Sequence, residues 1–256
     1  MNQTFTLTFS ESVENHTGMQ IIGNKASKGF SEDLVRQLAK DYHGELIQLN
    51  SEGLRRDQPT VSEGLRPDAC ICIFRNGLKE LFDIEPNEAF KEQEKLEKDK
   101  KAFMYGRVVN KLARHNLCFA DFNQDPEYEH GKGTIVDFAR VPVLQHIRDN
   151  LLHFGSEFED LYAEGNYYYD IKKTYIGWHG DTERSKVIGV RLGADFPLHF
   201  RWYRKGKAEG DIKSIILNSG DIYIMSQKAT GNDWKRRTVE WTLRHSAGAL
   251  NNLKSM

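Results

Sequence analysis

Tyr175-Ile176-Gly177-Trp178-His179-Gly180-Asp181-Thr182-Glu183-Arg184 sets an imidazole and a carboxylate two residues apart, and His245 follows further along the chain. On an extended strand, residues i and i+2 point to the same face, so His179 and Asp181 can reach one ion while Gly180 leaves room between them. A third ligand must then come from a distant strand. Two histidines and one carboxylate on one side of an ion leave the opposite positions open, the arrangement of mononuclear non-haem iron sites that take a keto acid and dioxygen. His179, Asp181 and His245 are therefore the candidate metal ligands and the candidate catalytic centre.

The surroundings are β-prone. The run Asn166-Tyr167-Tyr168-Tyr169-Asp170 precedes the pair, and Val187-Ile188-Gly189-Val190-Arg191-Leu192-Gly193 follows it as a further strand. Two histidines lie beyond Asp181. His199, in Pro197-Leu198-His199-Phe200-Arg201-Trp202-Tyr203, sits among large apolar residues and reads as a hydrogen-bonded core or rim histidine. His245 closes the last apolar segment, Thr242 to Gly248, where little else calls for an imidazole.

Taken together, Asn166-x-Tyr168-x-Asp170, Ile176-Gly177-Trp178-His179-Gly180-Asp181-x-Glu183, Gly220-Asp221-Ile222-Tyr223-Ile224-Met225-Ser226 and Thr242-Leu243-Arg244 resemble the AlkB-like branch of the iron(II)/2-oxoglutarate dioxygenases. The resemblance covers roughly residues 103–256. It implies an α+β chain with a double-stranded β-helix, or jelly-roll, oxygenase core. Residues 1–100 would form an N-terminal α/β extension ending in a charged linking helix, and 101–256 the oxygenase domain, with supporting helices.

The resemblance assigns His179 and Asp181 to the first two iron ligands, and Asn166 and Tyr168 to the groups that hydrogen-bond the co-substrate. The family's spacing would put the distal histidine near Trp234 or Lys235. His245 takes that role if a loop is inserted at Ala229–Arg237. A cation for the far carboxylate of 2-oxoglutarate is needed as well, because a buried carboxylate is costly without a charged partner and arginine can clamp it. Arg191, Arg237, Arg244 and Lys254 are the candidates, with Arg244 first and Arg237 second.

The implied cofactors are Fe(II), 2-oxoglutarate as co-substrate, and dioxygen. The implied activity is hydroxylation or oxidative demethylation, on an alkylated or methylated nucleobase in nucleic acid or on a nucleotide, amino acid or other small metabolite. A base in nucleic acid must be extruded or single-stranded to be reached. A non-catalytic β-helix binding module is the reading from a different class.

Composition sets bounds on this. A chain of 256 residues can bury a substantial core, and 39% hydrophobic with 29% charged residues describes a soluble globular protein, not a disordered one. No apolar stretch is long enough to span a membrane and Met1–Glu14 is too polar for a secretory signal, so a cytoplasmic or nuclear location and no membrane partner are expected. Cys70, Cys72 and Cys118 lie in apolar runs and read as small core hydrophobes. Residues 1–170 carry a formal charge of −9 and residues 171–256 one of +8, which favours an anionic co-substrate at the end holding the candidate site.

Organisation along the chain follows from periodicity. Thr4–Phe9 alternates polar and apolar residues as a strand does, Ser31 is an N-cap candidate for a helix to Tyr42, and Glu45–Leu49 and Ala69–Phe74 read as strands separated by the polar stretch Asn50–Asp68. In Glu88–Lys101 five lysines alternate with four glutamates and Asp99. Pairs such as Glu94 with Lys98 then suit a solvated helix. Pro142 starts another helix, Val141–Leu152. Phe103–Arg107, Arg114–Asn116 and Asp121–Asp125 stand where the family has a substrate lid. Glu14–Gln20 reads as a loop approaching the site.

Overall fold

The computed structural model describes residues 1–50 and 67–253. The connection expected at Asn50–Asp68 falls mostly outside them, as does Lys254. The first part of the chain forms β1 (Thr4–Ser10), β2 (Ser12–Glu14), β3 (Ile21–Gly23), α1 (Glu32–Asp41), β4 (Glu45–Gln48), β5 (Cys70–Phe74), α2 (Gly77–Phe82) and α3 (Pro86–Lys95). Then come β6 (Lys101–Met104), β7 (Arg107–Asn110), β8 (His115–Ala120), β9 (Ile135–Asp137), α4 (Pro142–Leu151) and β10 (Tyr162–Tyr168). The last part holds β11 (Ile176–His179), β12 (Val187–Gly193), β13 (Phe196–Arg204), β14 (Lys207–Leu217), β15 (Ile222–Met225), α5 (Gln227–Thr230), β16 (Trp241–Ala247) and α6 (Leu250–Leu253). The protein is thus α+β and mostly strand.

Among the described residues eight strands make the large sheet, in the order β4-β5-β15-β12-β1-β10-β8-β9, and four make the small one, β11-β16-β13-β14. Strands from both sides of residue 100 share the large sheet, and β1 is central in it. The expected boundary between 1–100 and 101–256 therefore separates no sheet from another. Among the described residues no helix is long and apolar enough to cross a membrane.

The layers follow from the two-residue period of the strands. In β5, Cys70, Cys72 and Phe74 pack with α1 and α4 residues such as Leu38 and Leu144, while Ala69, Ile71 and Ile73 pack with Leu198, Phe200 and Trp202 of the small sheet. A strand buried on both faces reads as a continuous apolar run, which is why the cysteines are structural. β1 obeys the same rule differently: Phe5, Leu7 and Phe9 join the helix-side core, so Thr4, Thr6, Thr8 and Ser10 face the space between the sheets. All seven residues are buried, and the polar edge is turned inward, not to solvent.

The helices agree with their signals. The Ser31 hydroxyl accepts from the Leu34 amide at 3.1 Å and so caps α1. Pro142 opens α4, whose Leu144, Ile147 and Leu151 are buried. The charged run departs from expectation, because α3 ends at Lys95. Lys98 folds back to donate to the carbonyls of Gln93, Glu94 and Leu96, and lies over the rings of Phe5 and Tyr167. Orphan carbonyls at a helix end attract a cation. That attraction, and the packing of the lysine stem on rings, displaces the expected Glu94–Lys98 helical pair.

Candidate metal centre

β11 and β16 are antiparallel neighbours in which His179 stands directly opposite His245. The strand ends at His179, so Asp181 lies two residues beyond its end instead of on it. Its place is fixed by its amide, which donates to the Thr230 carbonyl at 2.9 Å, and by Gly180. A Cβ on Gly180 would stand 2.1 Å from the Gly231 carbonyl oxygen, so only glycine lets this turn lie against the loop after α5.

The three ligand groups converge. Asp181 Oδ1 is 3.5 Å from His179 Nε2 and 3.6 Å from His245 Nε2, and one donor atom from each residue lies within 4.8 Å of the others. The His179 Nδ1 donates to the Gly177 carbonyl at 2.8 Å, which fixes the tautomer and leaves the Nε2 lone pair for a metal. Burial lowers the His245 pKa, aided by the neighbouring His179 ring, so its imidazole is held neutral. Burial alone would raise Asp181, but the facing His245 and His179 rings and the Arg184 guanidinium outweigh it, and its carboxyl sits well below the ordinary range. Neutral imidazoles and an ionised carboxylate are the protonation states a divalent metal requires. A His179-Asp181-His245 group thus stands ready to hold a metal ion.

Behind Asp181 lies a buried charged lattice. The Arg184 guanidinium donates to Glu164 at 2.6 Å and pairs with Glu183 at 2.7 Å, with its Nε 4.0 Å from the second oxygen of Asp181. Glu164 also accepts from Asn116 at 3.2 Å and Asn166 at 3.0 Å, and Arg114 donates to the Asn166 carbonyl oxygen at 2.6 Å. Every strong acceptor of Glu164 is used, which is what keeps a buried carboxylate tolerable.

The triad opens into a cavity of about 280 Å³ between the sheets. Its walls include Asn166 and Tyr168, and Glu14, His16 and Thr17 from the loop before β3. Glu14 is the notable member of that loop: burial raises its pKa to about 7, and Glu183 and Glu164 add to the rise. The expected lid segments contribute Arg114 here, while β6 and β7 form a hairpin beside the cavity.

The two preferred co-substrate cations are elsewhere. Alternation along β16 points His245 inward and Arg244 to the other face, where its guanidinium lies 3.8 Å from the Tyr203 ring centroid and 4.8 Å from that of Trp234. Arg237 lines a separate surface cleft with Lys235, Arg236 and Glu240. Arg191, of the four candidates, does line the triad's cavity, together with Arg114, Arg184 and Lys235. His199 is structural: its Nε2 donates to the Gly248 carbonyl at 2.8 Å, and its Nδ1 accepts from the Ser214 hydroxyl at 2.7 Å.

Fold and site define an α+β protein with a two-histidine, one-carboxylate candidate metal centre between its sheets. No family model matches the chain. The chain belongs to the same family as "Uncharacterized protein R156" of Acanthamoeba polyphaga mimivirus, with 42% identity over 251 residues that cover 97% of this chain and 96% of the relative.

Proposed function

We propose that this chain is an iron(II)- and 2-oxoglutarate-dependent dioxygenase of the AlkB-like kind, which hydroxylates or oxidatively demethylates its substrate. The observation that carries the reading is the convergence of His179, Asp181 and His245 on one wall of a cavity between the sheets. Two histidines and one carboxylate suit iron(II) with open positions. Iron(II) and 2-oxoglutarate bound there would supply dioxygen activation coupled to decarboxylation of the keto acid.

Strand order supports a double-stranded β-helix as the frame. From β10 to β16 the chain moves between large and small sheets: β10, β12 and β15 lie in the large one, β11, β13, β14 and β16 in the small one. β1 enters between β10 and β12 and completes the large sheet from the N-terminal end.

Each residue has a task at this centre. Gly177 orients His179, Arg184 steadies Asp181, and the buried walls from β10, β12 and β15 keep bulk water from the reacting atoms. Asn166 and Tyr168 line the region where the co-substrate would lie.

A nucleic-acid substrate is favoured over a free metabolite by the outer face of the small sheet. There Arg201 and Arg244 stand directly opposite one another across β13 and β16, and neither has an acidic partner among the described residues. Tyr203, Trp234 and Lys235 flank Arg244 and the nearby mouth of the cavity. Cations beside aromatic rings suit a phosphate backbone with unstacked bases.

The experiment is an anaerobic titration of the protein with iron(II) and 2-oxoglutarate, followed by aerobic turnover. A weak metal-to-ligand charge-transfer band and succinate formation are expected, both lost in His179→Ala. Absence of a band at saturating co-substrate would replace this reading with a binding module. Salt-sensitive binding of methylated single-stranded oligonucleotides tests the substrate class.

A further inference from the structure

The outer face of the small sheet collects donors that have no acceptor. Along β16, Leu243 packs in the core between the sheets and His245 faces the cavity, so Thr242 and Arg244 share the opposite face. Across the ladder on β13, Tyr203 stands opposite Thr242 and Arg201 opposite Arg244. The Thr242 hydroxyl, the Trp234 indole nitrogen and the Nε of both arginines are buried, and none of the four has a hydrogen-bond partner. Thr242 is 4% exposed, so bulk water does not serve its hydroxyl. An arginine or an indole N–H can only donate, which makes the cluster short of acceptors and not of donors.

Like charges directly opposite on neighbouring strands destabilise a sheet. Here two guanidiniums are so placed, and the pair is held there by rings. The Arg244 guanidinium lies 3.8 Å from the Tyr203 ring centroid and 4.8 Å from that of Trp234. Burial lowers its pKa, and the neighbour that opposes this is Tyr203, not a carboxylate. Stacking on ring faces fixes the plane of a guanidinium and leaves its N–H edge for a ligand. Beside the pair, a cleft of about 670 Å³ is lined by Lys205, Lys235, Arg236 and Arg237, together with Trp234 and Thr242. The acid in its lining, Glu240, is paired with Arg204 at 2.9 Å. An oxyanion at the pair would relieve both the repulsion and the desolvation of the unpartnered donors. Arginine forks match phosphate geometry, and the basic cleft beside them suits an ion of high charge.

We propose that Arg201 and Arg244, with the Thr242 hydroxyl, form a phosphate-binding site on the outer face of the small sheet, separate from the cavity of the triad. The ligand is a phosphate group, carried by a single-stranded nucleic acid or present as free phosphate. With the first source the inference rests on the nucleic-acid reading of this face and deepens it. The pair then holds a backbone phosphate, and Trp234, which lines both the cleft and the triad's cavity, stands between the two. The site itself is independent of the metal, because no member of the triad takes part in it.

Calorimetry on the full chain without metal decides it, with three ligands. These are inorganic phosphate, a single-stranded oligothymidylate, and the same oligomer with uncharged methylphosphonate linkages. Arg201→Met and Arg244→Met are each expected to weaken binding of the first two by at least about 10-fold, as loss of a hydrogen-bonded charge partner does. Each should also flatten the slope of log affinity against log salt for oligothymidylate by about 0.7, the value of one phosphate contact on a single strand. An arginine with a merely structural role would not move that slope. Arg244→Lys should keep the slope and lose affinity, because the charge stays and the fork goes. Arg244→Lys and Thr242→Val carry the decision if the methionine variants do not fold, with weaker phosphate binding expected in both. Oligothymidylate binding with the expected loss of slope upholds the site with nucleic acid as the source, whether or not inorganic phosphate binds detectably. Phosphate binding that needs both arginines, without oligothymidylate binding, upholds the site and assigns it to free phosphate. Equal affinity and slope in wild type and the variants overturns the proposal. So does a methylphosphonate oligomer bound as tightly as the diester, or a wild type that binds none of the three. A failed iron titration leaves each of these outcomes as it stands, so the two readings fail separately.

Discussion

His179 and His245 face each other across the β11–β16 pair, their ring centroids 4.4 Å apart, so the ladder itself sets the spacing of two candidate metal ligands. Asp181 is brought to them by a turn, not by the ladder. Ligand loss should therefore act directly on metal affinity. Replacing His245 or Asp181 by alanine is expected to weaken iron(II) or cobalt(II) binding by at least about 100-fold, the upper range found even for groups that only orient ligands. Saturating metal should raise the wild-type melting temperature by linkage, and the alanine variants should lose that rise. His199→Gln should retain metal affinity, because both nitrogens of His199 serve the fold. Calorimetry and thermal melts with and without a chelator measure all of this.

Gly180→Ala tests the turn. Its added Cβ would meet backbone, the Gly231 carbonyl at 2.1 Å, and that neighbour is itself tied to Leu243 of β16 by close contact. Neither side can yield by a rotamer change, so Asp181 must move. A destabilisation of about 1–3 kcal/mol is expected from the overpacking. A larger proportional effect on metal affinity should accompany it. Urea denaturation and metal titration on the same variant separate the two, and unchanged metal affinity would show that the turn is adaptable.

Much of this was legible because period-two patterning and ligand chemistry are local. His179-Gly180-Asp181 and the distant His245 could be paired from residue types alone, and the strands around them from their β-branched and aromatic runs. The cation in the cavity wall was not legible in the same way. Arg191 is embedded in Val187–Gly193 like any strand residue, and its place in the cavity wall depends on β1 packing beside β12. Sequence order also hid that β1 lies between β10 and β12, since no local signal specifies a neighbour more than one hundred and fifty residues away. The signal for Arg244 misled, because alternation from His245 already places it on the opposite face.

Glu164 and Arg184 give a stability test that can be run without metal. Both are nearly fully buried, they meet at 2.6 Å, and Glu164 also gathers Asn116 and Asn166. Glu164→Ala leaves the guanidinium with Glu183 and, at 4.0 Å, Asp181, and takes an acceptor from two amides. Breaking a buried pair by removing one partner costs about 3–5 kcal/mol, and the lower part of that range is expected here because Glu183 persists. Glu183→Ala should cost less. Denaturant midpoints at constant m-value read the difference.

Lys111 predicts a pH dependence. Burial lowers its pKa to about 8, against Asp99 and Glu164, which raise it, and its ammonium donates to the side-chain oxygens of Asn15 at 2.7 Å and of Asn116. A lysine whose folded pKa lies below its unfolded value binds its proton more weakly in the fold. Its contribution to stability is therefore greatest above the unfolded pKa near 10.5, shrinks as pH falls toward 8, and is constant below that. Across this window the change is about 3 kcal/mol in favour of high pH. Lys98, also lowered to about 8 by burial, acts in the same direction. Lys111→Met removes the titrating group, so urea denaturation at pH 8 and pH 10 should show a smaller rise for the variant than for wild type. An equal rise in both proteins would mean that Lys111 keeps an ordinary affinity for its proton.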